Sequence, residues 1–358
     1  MLVIPVHGSP SRSACADDVM RAAARALVAL AAIVAGCHRS HGPRVFVTNE
    51  DDGTVVVIDA RSFDVIDKVN VGQRPRGVRV SGDGKWLYVA LSGSPRGGPG
   101  IDESRLPPPN RSADGIGVVD LGDLTLVRTI PSGPDPESFD LVDDHTLVVS
   151  NEETAEASIV DLDKRKLRGR VDTGREPEGV ATAPDHTVWV TSETDNLISV
   201  VDPGEPRVVT TIPTGARPRG VAFTPDGTRA LVTGENDASI TLIDVRTRRQ
   251  TGRIELPRDA SAPSPPRPMG IAMTPNGKAL VTTGRAGAVA VIDVAAGTLT
   301  TVIPNVGKRP WGIAVAPSGL VFTANGPSGD VSVIDPATSQ IVQHIHTGGS
   351  PWGIAIAP

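Results

Sequence analysis

Seven short stretches of this 358-residue chain share one repeating position, which carries a charged or aromatic side chain in six of them and methionine in the seventh. Pro-x-Gly followed by an apolar run begins at Pro75, Pro177, Pro218, Pro268, Pro310 and Pro351, and a divergent copy, PESFDL, begins at Pro136. The middle residues read, in chain order, Arg76, Glu137, Glu178, Arg219, Met269, Trp311 and Trp352. The residues before each proline read Arg74, Asp135, Glu176, Arg217, Arg267, Arg309 and Ser350. Four carboxylates, Asp135, Glu137, Glu176 and Glu178, therefore fall between two pairs of arginines, and Met269, Trp311 and Trp352 form an apolar group. Two chemistries are open to this set. The arginines can neutralise the carboxylates while the indoles cap the ends of structural units. Alternatively, the middle residues ring an amphipathic mouth that holds a ligand or partner through Trp and Arg anchors. The four carboxylates also admit a hard divalent cation, which takes oxygen ligands. No other cofactor is expected.

Signals for catalysis are sparse, and no catalytic residue is assigned. His344 and His346 place two imidazoles on one strand face, but zinc needs further ligands and none is visible nearby. Gly-x-Ser-x-Gly, the nucleophile elbow, is absent, and GSPRGGPG does not open a helix as a phosphate loop does. The 35 basic and 41 acidic residues give a formal charge of −6, and the basic residues are dispersed. That balance offers no field for nucleic acid.

The elements that must position these residues are strands. Short Val/Ile/Thr-rich runs recur between Gly, Pro, Asp and Asn, an all-β composition. A strand ending in Asp recurs at Asp59, Asp120, Asp161, Asp202, Asp244, Asp293 and Asp335, and four of the six spacings are 41 or 42 residues. Each period holds four strands: a after Pro-x-Gly, b as in KWLYVA, c ending in the Asp, and d as in LVRTI. Gly-containing turns such as SGDG and TPNG join a to b. Seven such units predict an all-β, seven-bladed β-propeller of four-stranded blades. The repeat region begins at strand b (Arg44) and finishes at strand a (Ile354–Ala357), so this last strand is expected to complete the first blade and close the ring. Strand a alternates small and large residues, as in Gly312, Ala314 and Ala316 against Ile313 and Val315. Blades converge near the axis, so one face must be small. Arg79 and Asp140 break that rule and are expected either to pair across a gap between blades or to line the channel.

Strands alternate in direction, so the b–c loops and d–a connections leave on one face. Two insertions, 92–115 and 257–268, both fall there, on the face that carries every Pro-x-Gly. That face is where a partner protein or small ligand is expected, on a monomeric scaffold.

The N-terminal region reads as a targeting segment. Arg21 and Arg25 precede an uncharged run from Ala26 to Ala35, too short to span a membrane but fitting a secretory signal. VAGC, Val34 to Cys37, resembles the lipobox of bacterial lipoproteins. The expected organisation is 1–19 non-structural, with Met20 the start; 20–36 signal peptide; 37–43 tether, lipidated at Cys37; and 44–358 propeller. Such a protein sits in the periplasm or on the cell surface, anchored to a bacterial membrane.

The strings VTNEDDGTVVVID, VSNEETAEASIVD, TSETDNLISVVD and ANGPSGDVSVID resemble the YVTN family of β-propeller repeat proteins across nearly all of residues 44–358. PRPMGIAM and RPWGIAV look most like its branch of PQQ-dependent catabolism-associated propellers. The resemblance implies export and a setting near periplasmic quinoprotein oxidation. It supplies no catalytic motif and does not imply that this chain binds PQQ. The expected function is a membrane-tethered binding or scaffold protein. The alternative is a propeller enzyme, either a lactonase-like hydrolase or a redox accessory subunit.

Overall fold

A computed structural model describes residues 1–2, 42–97, 101–258 and 260–357. The chain divides into two units, Met1–His41 and Gly42–Pro358. Of the first unit only Met1 and Leu2 are described, both exposed. The expectations for the signal segment and for Cys37 therefore lie outside the described residues. No described helix is long and apolar enough to cross a membrane.

The second unit is a ring of seven four-stranded antiparallel sheets. Blade 1 takes its inner strand from Pro351–Ala357 and its others from Arg44–Asn49, Thr54–Asp59 and Val65–Asn70. Blades 2 to 7 begin at Pro75, Pro136, Pro177, Pro218, Ile271 and Pro310 and follow chain order from inner to outer strand. The closing strand pairs antiparallel with the first, Val45 opposite Ile356 and Val47 opposite Ile354. The expected seven-bladed propeller, with its closure, is the observed fold.

Burial follows strand position. Strands b and c, as in TVVVID and VFTAN, are buried along almost their whole length, because sheets cover both faces. The outer strand Thr298–Ile303 alternates exposed and half-buried residues until it ends at buried Ile303. Apolar clusters fill the gaps between neighbouring blades. Across the closure, Val45, Val47, Ile58 and Ile354 of blade 1 pack on Phe322, Ala324, Val331 and Val333 of blade 7.

The Asp that ends strand c has a local cause. Its carboxylate accepts backbone N–H bonds from the following turn: Asp59 from Arg61, Asp120 from Gly122, Asp161 from Lys164, Asp202 from Gly204, Asp244 from Thr247, Asp293 from Ala296 and Asp335 from Ala337, all at 2.7–2.9 Å. This is the Asx turn, which satisfies donors the sheet leaves unpaired.

Candidate functional site

Three local devices aim the middle residue of Pro-x-Gly at the mouth. First, the a–b ladder skips two residues after the proline, between Pro75 and Val78, Pro177 and Val180, Pro218 and Val221, and Pro310 and Ile313. Such an irregularity re-aims side chains and frees them from the sheet. Second, the glycine lies against the next blade's backbone. A Cβ at Gly312 would stand 2.5 Å from the Trp352 carbonyl oxygen, and one at Gly270 2.4 Å from that of Trp311. Third, a hydroxyl on strand b donates to that same carbonyl: Thr48 to Arg76 (2.8 Å), Ser150 to Glu178 (2.7 Å), Thr191 to Arg219 (3.0 Å), Thr233 to Met269 (2.8 Å) and Thr282 to Trp311 (2.9 Å).

The residue before the proline adopts left-handed backbone in five blades, at Arg74 (φ 40°), Asp135 (45°), Glu176 (51°), Arg217 (56°) and Arg309 (52°). Such conformations cost about 1–3 kcal/mol at non-glycine residues and cluster where function depends on them. Backbone shape thus repeats in five of the seven blades while side-chain chemistry varies.

Two arginine-centred networks occupy the acidic sector. Arg76, 2 % exposed, reaches from blade 2 to blade 3, pairing with Asp135 at 2.7 Å, with Glu137, and with Glu152 at 3.3 Å. Burial opposes ionisation of Asp135, but Arg76 and the Ser92 hydroxyl hold its pKa below the usual range. Glu152 faces the opposite balance. Burial, against Arg76 and reinforced by the charges of Glu178 and Asp135, pushes it up to about 7. In the second network Arg219 pairs with Glu178 at 2.7 Å, with Glu193, and with Glu235 at 2.8 Å. Arg217 adds contacts to Glu193 (2.7 Å) and Glu235 (3.1 Å). Arg217 and Arg219 thus share Glu178, Glu193 and Glu235, and Arg267 approaches Glu235 from the next blade at 3.6 Å. Burial and the neighbouring Glu178 push the pKa of Glu193, 2 % exposed, up to about 10.

The opposite wall is aromatic. The Trp311 and Trp352 rings lie 5.6 Å apart, inclined at 37°. Two guanidinium groups stand over Trp311, Arg309 at 4.7 Å and Arg219 at 5.2 Å from the ring centroid, within cation–π range.

Between these walls lies a cavity of about 850 Å³. Of the anticipated mouth residues, Arg76, Glu137, Glu178, Arg219, Trp311 and Trp352 line it, as do Asp135 and Glu176. Met269 does not. It is buried and lines a narrower cavity of about 130 Å³ that shares Glu178, Arg219, Trp311 and Trp352 with the first. Of the four proposed cation ligands, Asp135 and Glu137 are paired with Arg76 and Glu178 with Arg219, while Glu176 accepts from Thr194 at 2.8 Å. Among the described residues no three of His, Cys, Asp and Glu are grouped to hold a metal ion. His344 Nδ1 sits 3.0 Å from the Ser332 hydroxyl. Arg79 and Asp140 pair at 3.1 Å, with Arg79 on the narrow cavity, so both expected roles coincide.

The insertions differ in their contribution. Loop 92–115 sends Ser94–Gly97 and Leu106–Pro109 onto the cavity wall. It is held to blade 1 by Arg96–Asp51 at 2.7 Å and to blade 3 by Arg111–Glu153. Among the described residues of 257–268 none lines the cavity; Arg267 at their end bonds Asn236 at 2.8 Å. Sequence reasoning also passed over a second set of carboxylates, Glu50, Glu152, Glu193 and Glu235, just beyond strand b. Their signal is the repeated Val-Thr/Ser-x-Glu of VTNE, VSNE, VTSE and VTGE.

The fold and mouth define a seven-bladed β-propeller with a polar, aromatic-walled axial cavity. The chain is similar in structure to periplasmic gluconolactonase PpgL of Pseudomonas aeruginosa, with TM-score 0.70 and 18% identity over 88% of this chain and 99% of that one. It is also similar to a chain of hydrazine synthase from Kuenenia stuttgartiensis, with TM-score 0.68 and 22% identity over 82% and 92% of the two chains. A protein from Lactobacillus plantarum gives TM-score 0.72 and 17% identity over 88% and 99%. No protein-family model and no curated protein matches the sequence.

Proposed function

We propose that the chain is an exported β-propeller, tethered to a bacterial membrane through lipid on Cys37, that binds a small polar ligand in its mouth as an accessory to periplasmic quinoprotein-linked oxidation. The observation that carries the binding reading is the cavity of about 850 Å³, with the Trp311–Trp352 pair facing the Arg76 and Arg219 networks. Its size falls within the range of small-molecule sites. Indoles offer a flat apolar face, and the fixed carboxylates and guanidiniums around them offer acceptors and donors, a combination that suits a sugar-like polyol or its acid. Export and tethering are supported by the Arg21/Arg25 segment and VAGC, and the quinoprotein setting by the resemblance to the PQQ-associated branch. The test is titration of the mature protein with a panel of sugars, sugar acids and lactones, followed by Trp emission. Saturable binding that Trp311→Ala and Trp352→Ala each weaken supports the reading; a flat response to the whole panel overturns it. Intact mass of the mature protein, with residues 1–36 absent and a diacylglyceryl adduct on Cys37, tests the tether separately.

A second reading, lactone hydrolysis, is favoured by Glu152. A cavity-lining carboxyl with a pKa of about 7 suits a general base near neutral pH. It would take a proton from water as the oxygen adds to the lactone carbonyl, and return that proton to the ring oxygen as the C–O bond breaks to give the hydroxy acid. The fold of PpgL agrees with this reading. Assay of gluconolactone opening decides it: wild-type activity that Glu152→Gln abolishes supports the reading, and no activity above the uncatalysed rate removes it.

A further inference from the structure

Four arginines precede the prolines of the mouth: Arg74, Arg217, Arg267 and Arg309. Three receive a counter-ion of common origin. The residue just beyond strand b of the preceding blade is a glutamate, and it reaches the arginine of the next blade. Glu50 meets Arg74 at 2.9 Å, Glu193 meets Arg217 at 2.7 Å, and Glu235 approaches Arg267 at 3.6 Å. For Arg309 the donor position belongs to blade 6, where VTTG replaces VTGE and the residue is Gly284. Ser92 and Gly326 also stand at this position in their blades, but the residues they would serve are Asp135 and Ser350, so Arg309 is the one arginine of the four without this glutamate. No described carboxylate pairs with Arg309, and its guanidinium lies over Trp311 instead.

The surroundings of Arg309 sharpen the imbalance. It lines the mouth cavity with Arg96, Trp311 and Trp352. Burial and the charge of Arg219, with smaller contributions from Arg285 and Arg96, push its pKa down, and only Glu235 pulls the other way. A partly buried guanidinium among other cations gains from any oxyanion that reaches it, because its planar fork matches carboxylate and phosphate oxygens.

We infer that Arg309 is the anchor of an oxyanion site: the ligand of the mouth is a small organic anion, a carboxylate or a phosphate ester, whose charged head takes the place of the missing glutamate at Arg309 while its body lies along the Trp311–Trp352 pair. This deepens the small-ligand reading above and rests on it.

The experiment is titration of the mature protein, at constant ionic strength, with gluconate, glucose 6-phosphate and neutral glucose, read by Trp emission and by Tm. Either anion is expected to bind saturably, and more tightly than glucose by roughly tenfold or more, the scale of a charge-assisted contact. The tighter anion identifies the head group. Arg309→Gln should lose that preference, while Arg267→Gln, whose arginine keeps a protein counter-ion in the wild type, should retain it. Arg309→Lys keeps the charge without the planar fork and should bind the anions with intermediate affinity; it decides the matter if Arg309→Gln does not fold. Equal binding of glucose and gluconate, or anion preference retained in Arg309→Gln, overturns the oxyanion anchor and leaves small-ligand binding standing. Absence of binding by all three probes removes both.

Discussion

Arg219 and Arg217 hold Glu178, Glu193 and Glu235 together, and the burial of Glu193 there has a consequence for pH. Glu193 titrates at about 10 in the folded chain and near 4.5 unfolded, so folding takes up a proton between those values. A folded state that binds more protons loses stability as pH rises. Glu152, raised to about 7, acts in the same sense over the lower part of that window. Tm is therefore expected to decline from about pH 5 to pH 9, and Glu193→Gln, which keeps the shape without the titration, should flatten the decline. An equally steep decline in the variant would refute the assignment. Arg76 sets a second test. Arg76→Ala strands Asp135, Glu137 and Glu152 together, and removing one partner of a buried ion set costs about 3–5 kcal/mol. Denaturant unfolding measures it, and a loss under about 1 kcal/mol would show the network to be dispensable. At this scale the sequence was legible in part. The Arg, Glu and Trp residues of the mouth stand at a fixed offset from proline, so their convergence could be read from spacing. That Glu193 keeps a proton could not, since it depends on burial and on three neighbours brought together by two blades.

The elements are held by contacts that the repeat makes identical in form. Each Pro-x-Gly glycine accommodates the carbonyl of the next blade, and in five blades a strand-b hydroxyl donates to it. Gly312→Ala must push a Cβ against the Trp352 carbonyl oxygen, backbone that cannot swing aside. The expected cost is about 1–3 kcal/mol, the range for overpacking. Thr282→Val, which strands the Trp311 carbonyl, should cost about 1 kcal/mol. Urea melts of both variants check the order; if Thr282→Val proves the costlier, the close approach is not the dominant constraint. The small/large alternation of strand a was visible in the sequence because it has period two. The reason for its glycines was not. It lies in the neighbouring blade's backbone, some 40 residues away along the chain. The Asp at the end of strand c was visible as a marker, and its work as a turn acceptor is local enough that chemistry alone explains it.

For the whole molecule the closing strand is the decisive element. Deleting Ser350–Pro358 removes the partner of Arg44–Asn49 and uncovers the inner edge of blade 1. It also takes away Ile354, whose burial alone is worth about 1.5–3 kcal/mol. The expected result is a loss of more than about 5 kcal/mol, enough to unfold an ordinary domain. A truncated protein with unchanged Tm would mean that the ring is held without this strand. Blade number and closure were both legible, because seven copies of two markers and an incomplete first unit admit one ring. The cavity was less so. Which loop reaches it depends on ion pairs such as Arg96–Asp51, between residues 45 positions apart, and spacing alone does not distinguish the loop that lines the mouth from the one that does not.

Closure also sets an order of events in time. Strand Arg44–Asn49 leaves the ribosome long before Pro351–Ala357, its partner, and about 300 intervening residues must be made before the two can meet. Non-local pairings of this kind form late and slowly. Until then the first blade shows an open edge and the growing chain has no finished ring. Such a chain stays threadable for as long as its final strand is missing, and it becomes a rigid body only when that strand arrives. The moment at which the ring becomes rigid is thus written into the position of one strand.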